Sequence, residues 1–416
     1  LVQRRKLKNG LRVVYEPMEH VRSLSIGIWV YTGSRDEKRE ENGITHFLEH
    51  MLFKGTKERS AMEIAEAFDR IGGSVNAFTA KEYTCFYAKV IDKHAREAID
   101  ILSDMFFNST FYEEEIVRER DVVLEEIRMV EDTADDIVHD DLDYAAYGNH
   151  PLGLPILGTE RTVPIFNRDH LYDYISKHYR PDNIVVSIAG KIDDSLLSFV
   201  ESQFAQFSTN EFPSQQETPH ALIAHKAARA KSVEQAHLCL GFNGVSVDDD
   251  RLFPMALLNQ LLGGSMSSRL FQEIREERGL AYAIFSHHIA YRDGGMLSIY
   301  AGTAPEKVNE VLEAMLSIID RFAHERVSEN DMENVKSQVQ ASLLLGLEST
   351  TSRMSKNGKN ELSLGFHRSP EALTDRIDAV TSEDIQSIAG DIYEHDYALS
   401  LISPDGRLPR GCSDPL

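Results

Sequence analysis

Apolar and polar positions alternate over residues 11–15 and 23–30, both rich in β-branched side chains, and the pattern predicts two strands joined by a turn at Glu16-Pro-Met-Glu19. The period then changes to that of a helix over about 43–54, ended by Gly55. Ser60-Ala-Met-Glu63 has the form of a capping box and opens a second helix that runs to Gly72-Gly73. Strands follow at 74–79 and 83–90, then helices over 93–107, 112–131 and on to Tyr147. After a loop around His150-Pro151, a helix at 168–178 leads into a strand at 184–189.

Residues 206–232 break this rhythm. Pro213-Ser-Gln-Gln-Glu-Thr-Pro219 is polar and carries no periodic apolar positions, as an interdomain linker would. Beyond it the pattern repeats: a strand at 237–244, helices at 251–262 and 267–277, strands at 281–290 and 296–303, then long helices at 305–322 and 328–347. A shift of 210 residues (258 − 48) lays Leu48-Glu49-His50-Met51-Leu52 on Leu258-Asn259-Gln260-Leu261-Leu262, and the elements that follow come in the same order. The fold class expected is α+β: two homologous domains from an internal duplication, each an antiparallel sheet packed against helices. Their expected bounds are 1–205 and 233–416, with 206–232 as linker.

Composition narrows the function. The chain has 416 residues, 42% of them hydrophobic, which is enough for two soluble cores. Acidic residues outnumber basic ones 67 to 44, a formal charge of −23. That balance argues against nucleic acid as a partner and favours basic ligands if it lines a cavity. No run of 18 apolar residues predicts a membrane span, and no apolar stretch follows the basic residues at the start of the sequence. Cys85, Cys239 and Cys412 are three in number and widely spaced, which suits a reducing compartment. The expected location is a bacterial cytoplasm, with the mitochondrial matrix second.

The chemistry concentrates in His46-Phe-Leu-Glu49-His50. On a helix His46 and His50 share a face one turn apart, so two neutral imidazoles can grip one zinc ion. Glu49 flanks them and can take a proton from a metal-bound water. This H-x-x-E-H order is the reverse of the familiar zinc-peptidase motif. The copy at 256–260 replaces the three residues by Ala256, Asn259 and Gln260, so only the first half can hold the metal. A third protein ligand is required, and the helix at 112–131 offers Glu119 and Glu126, two turns apart. Spacing alone leaves open which of the two binds and which supports it.

Together, H-x-x-E-H at 46–50, Glu119-Arg-Asp-Val-Val-Leu-Glu-Glu126, Gly72-Gly-Ser-Val-Asn-Ala-Phe-Thr79 and Leu261-Leu-Gly-Gly-Ser-Met-Ser-Ser-Arg-Leu-Phe271 resemble the pitrilysin/insulinase family of zinc peptidases, most closely its bacterial branch similar to the mitochondrial processing peptidase. The resemblance implies one Zn2+ per chain held by His46, His50 and Glu126, Glu49 as general base and Glu119 as accessory carboxylate. Glu125 is the rival of Glu126, and an error of one residue would turn the ligand by about 100° around the helix. The resemblance also implies that Asn76 and Ala77 lie on an edge strand that pairs with an extended substrate. Arg275 and Tyr282 would hold the substrate backbone and polarise its carbonyl. In the family, four such domains enclose a chamber. A chain with two would therefore form a homodimer acting on peptides or unfolded segments, preferably basic ones. The alternative is a non-catalytic structural or partner subunit of the same family.

Overall fold

The computed structural model describes residues 2–205, 207 and 222–413. In chain order its strands are β1 (Gln3–Lys6), β2 (Arg12–Pro17), β3 (Ser23–Val30), β4 (Ser74–Thr79), β5 (Thr84–Ile91), β6 (Ile184–Gly190), β7 (Lys226–Ala230), β8 (Ala236–Gly244), β9 (Ala281–Ala290), β10 (Gly295–Thr303) and β11 (Ala398–Ser403). The helices are α1 (Ile44–Met51), α2 (Ala61–Arg70), α3 (Ala95–Asn108), α4 (Glu113–Asp132), α5 (Ala134–Tyr147), α6 (Arg168–His178), α7 (Asp194–Phe204), α8 (Leu252–Leu262), α9 (Val308–His324), α10 (Glu329–Gly346), α11 (Thr350–Ser363), α12 (Pro370–Ala379) and α13 (Ser382–Glu394).

The first sheet has the order β1-β2-β6-β3-β5-β4 and the second β7-β11-β8-β10-β9. Matching β2 to β7, β3 to β8, β4 to β9, β5 to β10 and β6 to β11 makes the two orders identical, apart from the added β1. Each sheet is antiparallel except for one parallel pair, β2 with β6 and β7 with β11, which also correspond. This is the topology of a duplicated α+β unit. The duplication was legible in the order of elements; the parallel pair needs β6 and β11 to cross over beside the first strand of each copy, which periodicity does not reveal.

Two compact units emerge, and neither is contiguous in sequence. One gathers the described residues of Leu1–Arg128, Pro155–Gln216 and Leu345–His367; the other those of Met129–Leu154, Glu217–Leu344 and Arg368–Leu416. Helix α11, from late in the chain, thus belongs with the first sheet, and α5, from early in the chain, with the second. In the element order α5 and α11 hold equivalent places, each following the second long helix of its copy. Of the expected linker 206–232, residues 206 and 208–221 lie outside the described residues, while Lys226–Ala230 is strand β7.

In the first unit the central strand β3 is buried on both faces. Leu24, Ile26, Ile28 and Val30 join Phe47, Leu48, Ile99, Leu102 and Phe106 in the main core. Ser25, Gly27 and Trp29 face α11: Ser25 Oγ lies 2.9 Å from Thr350 Oγ1, and the Trp29 indole donates to Met354 Sδ at 3.3 Å. A Cβ on Gly358 would come within 2.4 Å of the Trp29 ring, so only glycine lets α11 lie this close. In the second unit Leu238, Leu240 and Phe242 of β8 face the core formed with α8, α9 and α13, while Cys239 turns toward Val138, Leu142 and Ala145 of α5.

Candidate metal centre

Helix α1 is short, and its two faces divide the labour. Ile44, Phe47, Leu48 and Met51 fill the core, which leaves His46 and His50 on the other side. Gly43 precedes the helix at φ +93, a left-handed conformation; a Cβ there would meet Gly158 Cα at 2.5 Å. The first-turn N–H groups of α1 are met by Glu37, whose carboxylate accepts from Gly43 N at 2.8 Å, Thr45 N at 2.9 Å and Asn42 Nδ2 at 3.1 Å. Burial drives the Glu37 carboxyl up to about 7, and the hydrogen bonds from Thr45, Gly43 and Asn42 only partly oppose it.

Helix α4 runs alongside, with Ile116, Glu119 and Val123 buried at helical spacing. The Arg120 guanidinium anchors it by donating to the Phe166 carbonyl at 2.9 Å. The structure brings His46, His50 and Glu126 together. The two Nε2 atoms are 3.2 Å apart, and Glu126 Oε2 lies 3.7 Å from His46 Nε2 and 3.6 Å from His50 Nε2. A tetrahedral zinc with bonds of ~2.1 Å separates its ligand atoms by about 3.4 Å, so the triangle has the right size for that ion. Among the described residues this is the only group of three or more His, Cys, Asp or Glu side chains so arranged. Glu125 turns away, largely exposed, and pairs with Arg128.

The electrostatics suit a cation. Burial, then the neighbouring His50, lowers His46 to about 3, so it stands neutral with a lone pair to offer. Burial also pushes His50 down, but the hydrogen bond to Glu119 and the fields of Glu119, Glu126 and Glu49 outweigh it and leave His50 raised. His50 Nδ1 donates to Glu119 Oε1 at 2.8 Å, which fixes the tautomer and aims Nε2 at the centre. The other Glu119 oxygen pairs with Lys54 Nζ at 2.7 Å. Burial would raise the Glu119 carboxyl, yet His50 and Lys54 together hold it below its ordinary value. His46 Nδ1, by contrast, is buried with no hydrogen-bond partner among the described residues.

Glu49 lies on the same helix and accepts a hydrogen bond from Thr79 Oγ1 at 2.6 Å. Burial raises its carboxyl above the ordinary range, against the pull of Thr79. Thr79 ends β4, the outermost strand of its sheet. Asn76 is exposed on that edge, its Oδ1 accepting from Ala77 N at 2.9 Å, and Ala77 is buried opposite Phe86. Arg275 and Tyr282 belong to the second unit. Arg275 lies in the last turn of a π-helical stretch, Leu270–Glu277, where the sequence pattern predicts an ordinary helix, and it lies over the Phe271 ring at 4.6 Å and the Tyr282 ring at 5.7 Å. Tyr282 is the second residue of β9 and is 74% exposed. Sequence reasoning missed Glu37, Lys54 and Thr79. Only Lys54 had a local signal: it follows His50 by four residues, on the same side of the chain as the metal helix.

Comparison with known proteins decides the family. A profile of the insulinase family (peptidase family M16) matches residues 12–160, and one of the peptidase M16 inactive domain matches residues 166–339. A Bacillus subtilis protein described as the uncharacterized zinc protease YmxG is 50% identical over 98% of this chain and 100% of its own length. The chain belongs to the insulinase family, peptidase family M16. An uncharacterized zinc protease of Streptomyces coelicolor is 41% identical, covering 97% of this chain and 90% of that protein. In fold the chain is like a protease from Helicobacter pylori, with a TM-score of 0.90 at 21% identity over 97% of this chain and 99% of the other. It is also like a chain of the Candida albicans complex III dimer, with a TM-score of 0.83 at 19% identity over 96% and 95%.

Proposed function

We propose that this family member is an active zinc metalloendopeptidase, with one zinc per chain held by His46, His50 and Glu126. The observation that carries the reading is the triangle of Nε2, Nε2 and Oε2 at 3.2–3.7 Å, with Glu49 on the next position of the same helix. Zinc, when bound there, supplies a Lewis acid that polarises a carbonyl and acidifies water. Glu49 accepts the proton of the attacking water and delivers it to the leaving amine nitrogen; its raised affinity for protons suits both tasks. Glu119 keeps His50 aimed, with Nδ1 carrying the proton and Nε2 turned to the centre. Strand β4, at the edge of its sheet, is a place where an extended peptide can add a strand beside Asn76 and Ala77, exchanging the Ala77 N–H bond to the Asn76 side chain for one to the peptide. Arg275 and Tyr282 supply a cation and a phenol for the substrate carbonyls.

A homodimer enclosing a chamber, a preference for basic unfolded segments and a cytoplasmic location belong to the same proposal. The preference rests on the charge of −23, the location on the three widely spaced cysteines, and the dimer on the four-domain chamber that the family resemblance implies. Among the described residues no helix is long and apolar enough to cross a membrane. The rival reading is a non-catalytic partner subunit, favoured by the likeness in fold to a complex III chain. Zinc content of the purified protein separates the two, because a structural subunit has no use for a metal site open to water. One zinc per chain supports the peptidase; a metal-free protein that cleaves no peptide supports the partner subunit.

A further inference from the structure

The loop before α1 is tied at one end to the edge strand's turn and at the other to the metal helix. Gly33 passes so close to the β4–β5 turn that a Cβ there would lie 2.3 Å from the Ala80 carbonyl oxygen. Ser34 N donates to Ala80 O at 3.2 Å and Arg35 N to Lys81 O at 2.7 Å. The Arg35 guanidinium then reaches Glu82 Oε1 at 2.6 Å, an ion pair in which both side chains are almost wholly buried. Two residues on, Glu37 turns inward. One of its oxygens accepts from Thr45 N, the other from Gly43 N and Asn42 Nδ2. Asn42 Nδ2 also donates to Pro155 O at 2.9 Å, and Thr45 Oγ1 meets the Tyr174 hydroxyl at 2.7 Å. The start of α1 is thus held from three sides, with Glu37 as the hub.

We propose that Glu37 is a positioning residue for the metal centre and that the Arg35–Glu82 pair yokes the same loop to the substrate-binding edge. Glu37 touches neither His46 nor His50. It acts through Gly43 and Thr45, fixing the direction in which the first turn of α1 leaves the loop. His46 lies one residue beyond Thr45, and His50 one turn beyond that. A small rotation of so short a helix would move the two Nε2 atoms by different amounts and open the 3.2 Å gap between them. A mere cap would need one acceptor oxygen; here both carboxylate oxygens are used, on donors either side of Ile44. The buried ion pair has a separate task. A peptide laid on β4 pulls on the β4–β5 turn, and Arg35–Glu82 carries that load into the loop that orients α1. Binding of the peptide strand and the aim of Glu49, which Thr79 of β4 also holds, then stay in register.

This inference rests on the zinc peptidase reading, so its test measures the two separately. Zinc affinity is read by competition with a chromophoric chelator, and cobalt substitution reports the ligand field by absorption. Wild-type protein that takes up neither metal defeats the zinc reading itself. If it binds, Glu37→Gln, which keeps the shape but loses one acceptor oxygen, is expected at about pH 8 to bind zinc at least tenfold more weakly, with an altered cobalt spectrum. Arg35→Met/Glu82→Leu removes both charges of the pair together, so that neither is left buried opposite the loss of the other. It is expected to keep wild-type zinc affinity and to lose at least tenfold in kcat on a short peptide, with KM changed less than threefold. Wild-type zinc affinity and cobalt spectrum in Glu37→Gln would overturn the positioning role. An unchanged kcat in the double variant would overturn the yoke, as would a loss confined to thermal stability.

Discussion

His46 and His50 are the same residue type four positions apart, yet their surroundings differ. His50 has a carboxylate behind its Nδ1, and His46 has a buried Nδ1 without one among the described residues. The support from Glu119 is therefore one-sided. Glu119→Gln is expected to weaken zinc binding by about 10–100-fold without abolishing it, measured by chelator competition. The choice between Glu125 and Glu126 is equally testable. Glu126→Gln should leave the purified protein with little zinc, while Glu125→Gln, which loses only a surface pair with Arg128, should keep a full complement by elemental analysis. In the second unit the exposed Tyr282 invites a similar contrast. Tyr282→Phe should keep its zinc and lower kcat by about 10–100-fold in a peptide assay, if the hydroxyl donates to the developing oxyanion.

At the scale of elements, the buried carboxyl before α1 predicts a pH dependence. Glu37 stands at about 7 in the folded chain against an ordinary 4.5. A carboxyl raised on folding contributes stability that is fully present below about pH 4.5 and is lost as pH rises through about 7. The loss amounts to about 3 kcal/mol across that window. Urea unfolding of the zinc-free chain should show wild type losing this increment between pH 5 and pH 8, and Glu37→Gln lacking it; equal pH slopes in the two would contradict the assignment. Elements with a local signature were legible in the sequence: β3 from its alternation, α2 from Ser60 and Glu63, α1 from its apolar stripe and Gly55. Helix α11 was not, because it packs through Thr350 on Ser25 and through Met354 and Gly358 on Trp29, instead of through a stripe of leucines. The exchange of α5 and α11 between the units leaves no periodic trace at all. In the site, the metal-binding pattern could be read from spacing on one helix, but choosing Glu126 over Glu119 took the family resemblance. Thr79 and Glu37 act across turns that no spacing rule describes.

The molecule as a whole carries two copies of one sheet topology, and only one copy has kept the metal-binding side chains. The second copy keeps the fold and has Ala256, Asn259 and Gln260 at the metal positions; Arg275 and Tyr282 are its proposed contribution to substrate binding. The net charge of −23 on the whole chain should act over the length scale of a substrate. Raising ionic strength from 50 to 500 mM is expected to lower kcat/KM several-fold for an unstructured basic peptide and to leave a neutral one nearly unchanged. A shared response would point to an effect on the protein instead of on the encounter. On helix α1 the proposed division of roles has His46 and His50 bind the metal and Glu49 react. Its most direct test compares wild type with Glu49→Gln, measuring zinc content and cleavage of a basic unstructured peptide on the same preparations. Equal zinc in both, cleavage by wild type, and a loss of at least a thousandfold in the variant are expected. Zinc lost along with activity would make Glu49 a ligand, and a metallated variant that still cleaves at the wild-type rate would place the base elsewhere.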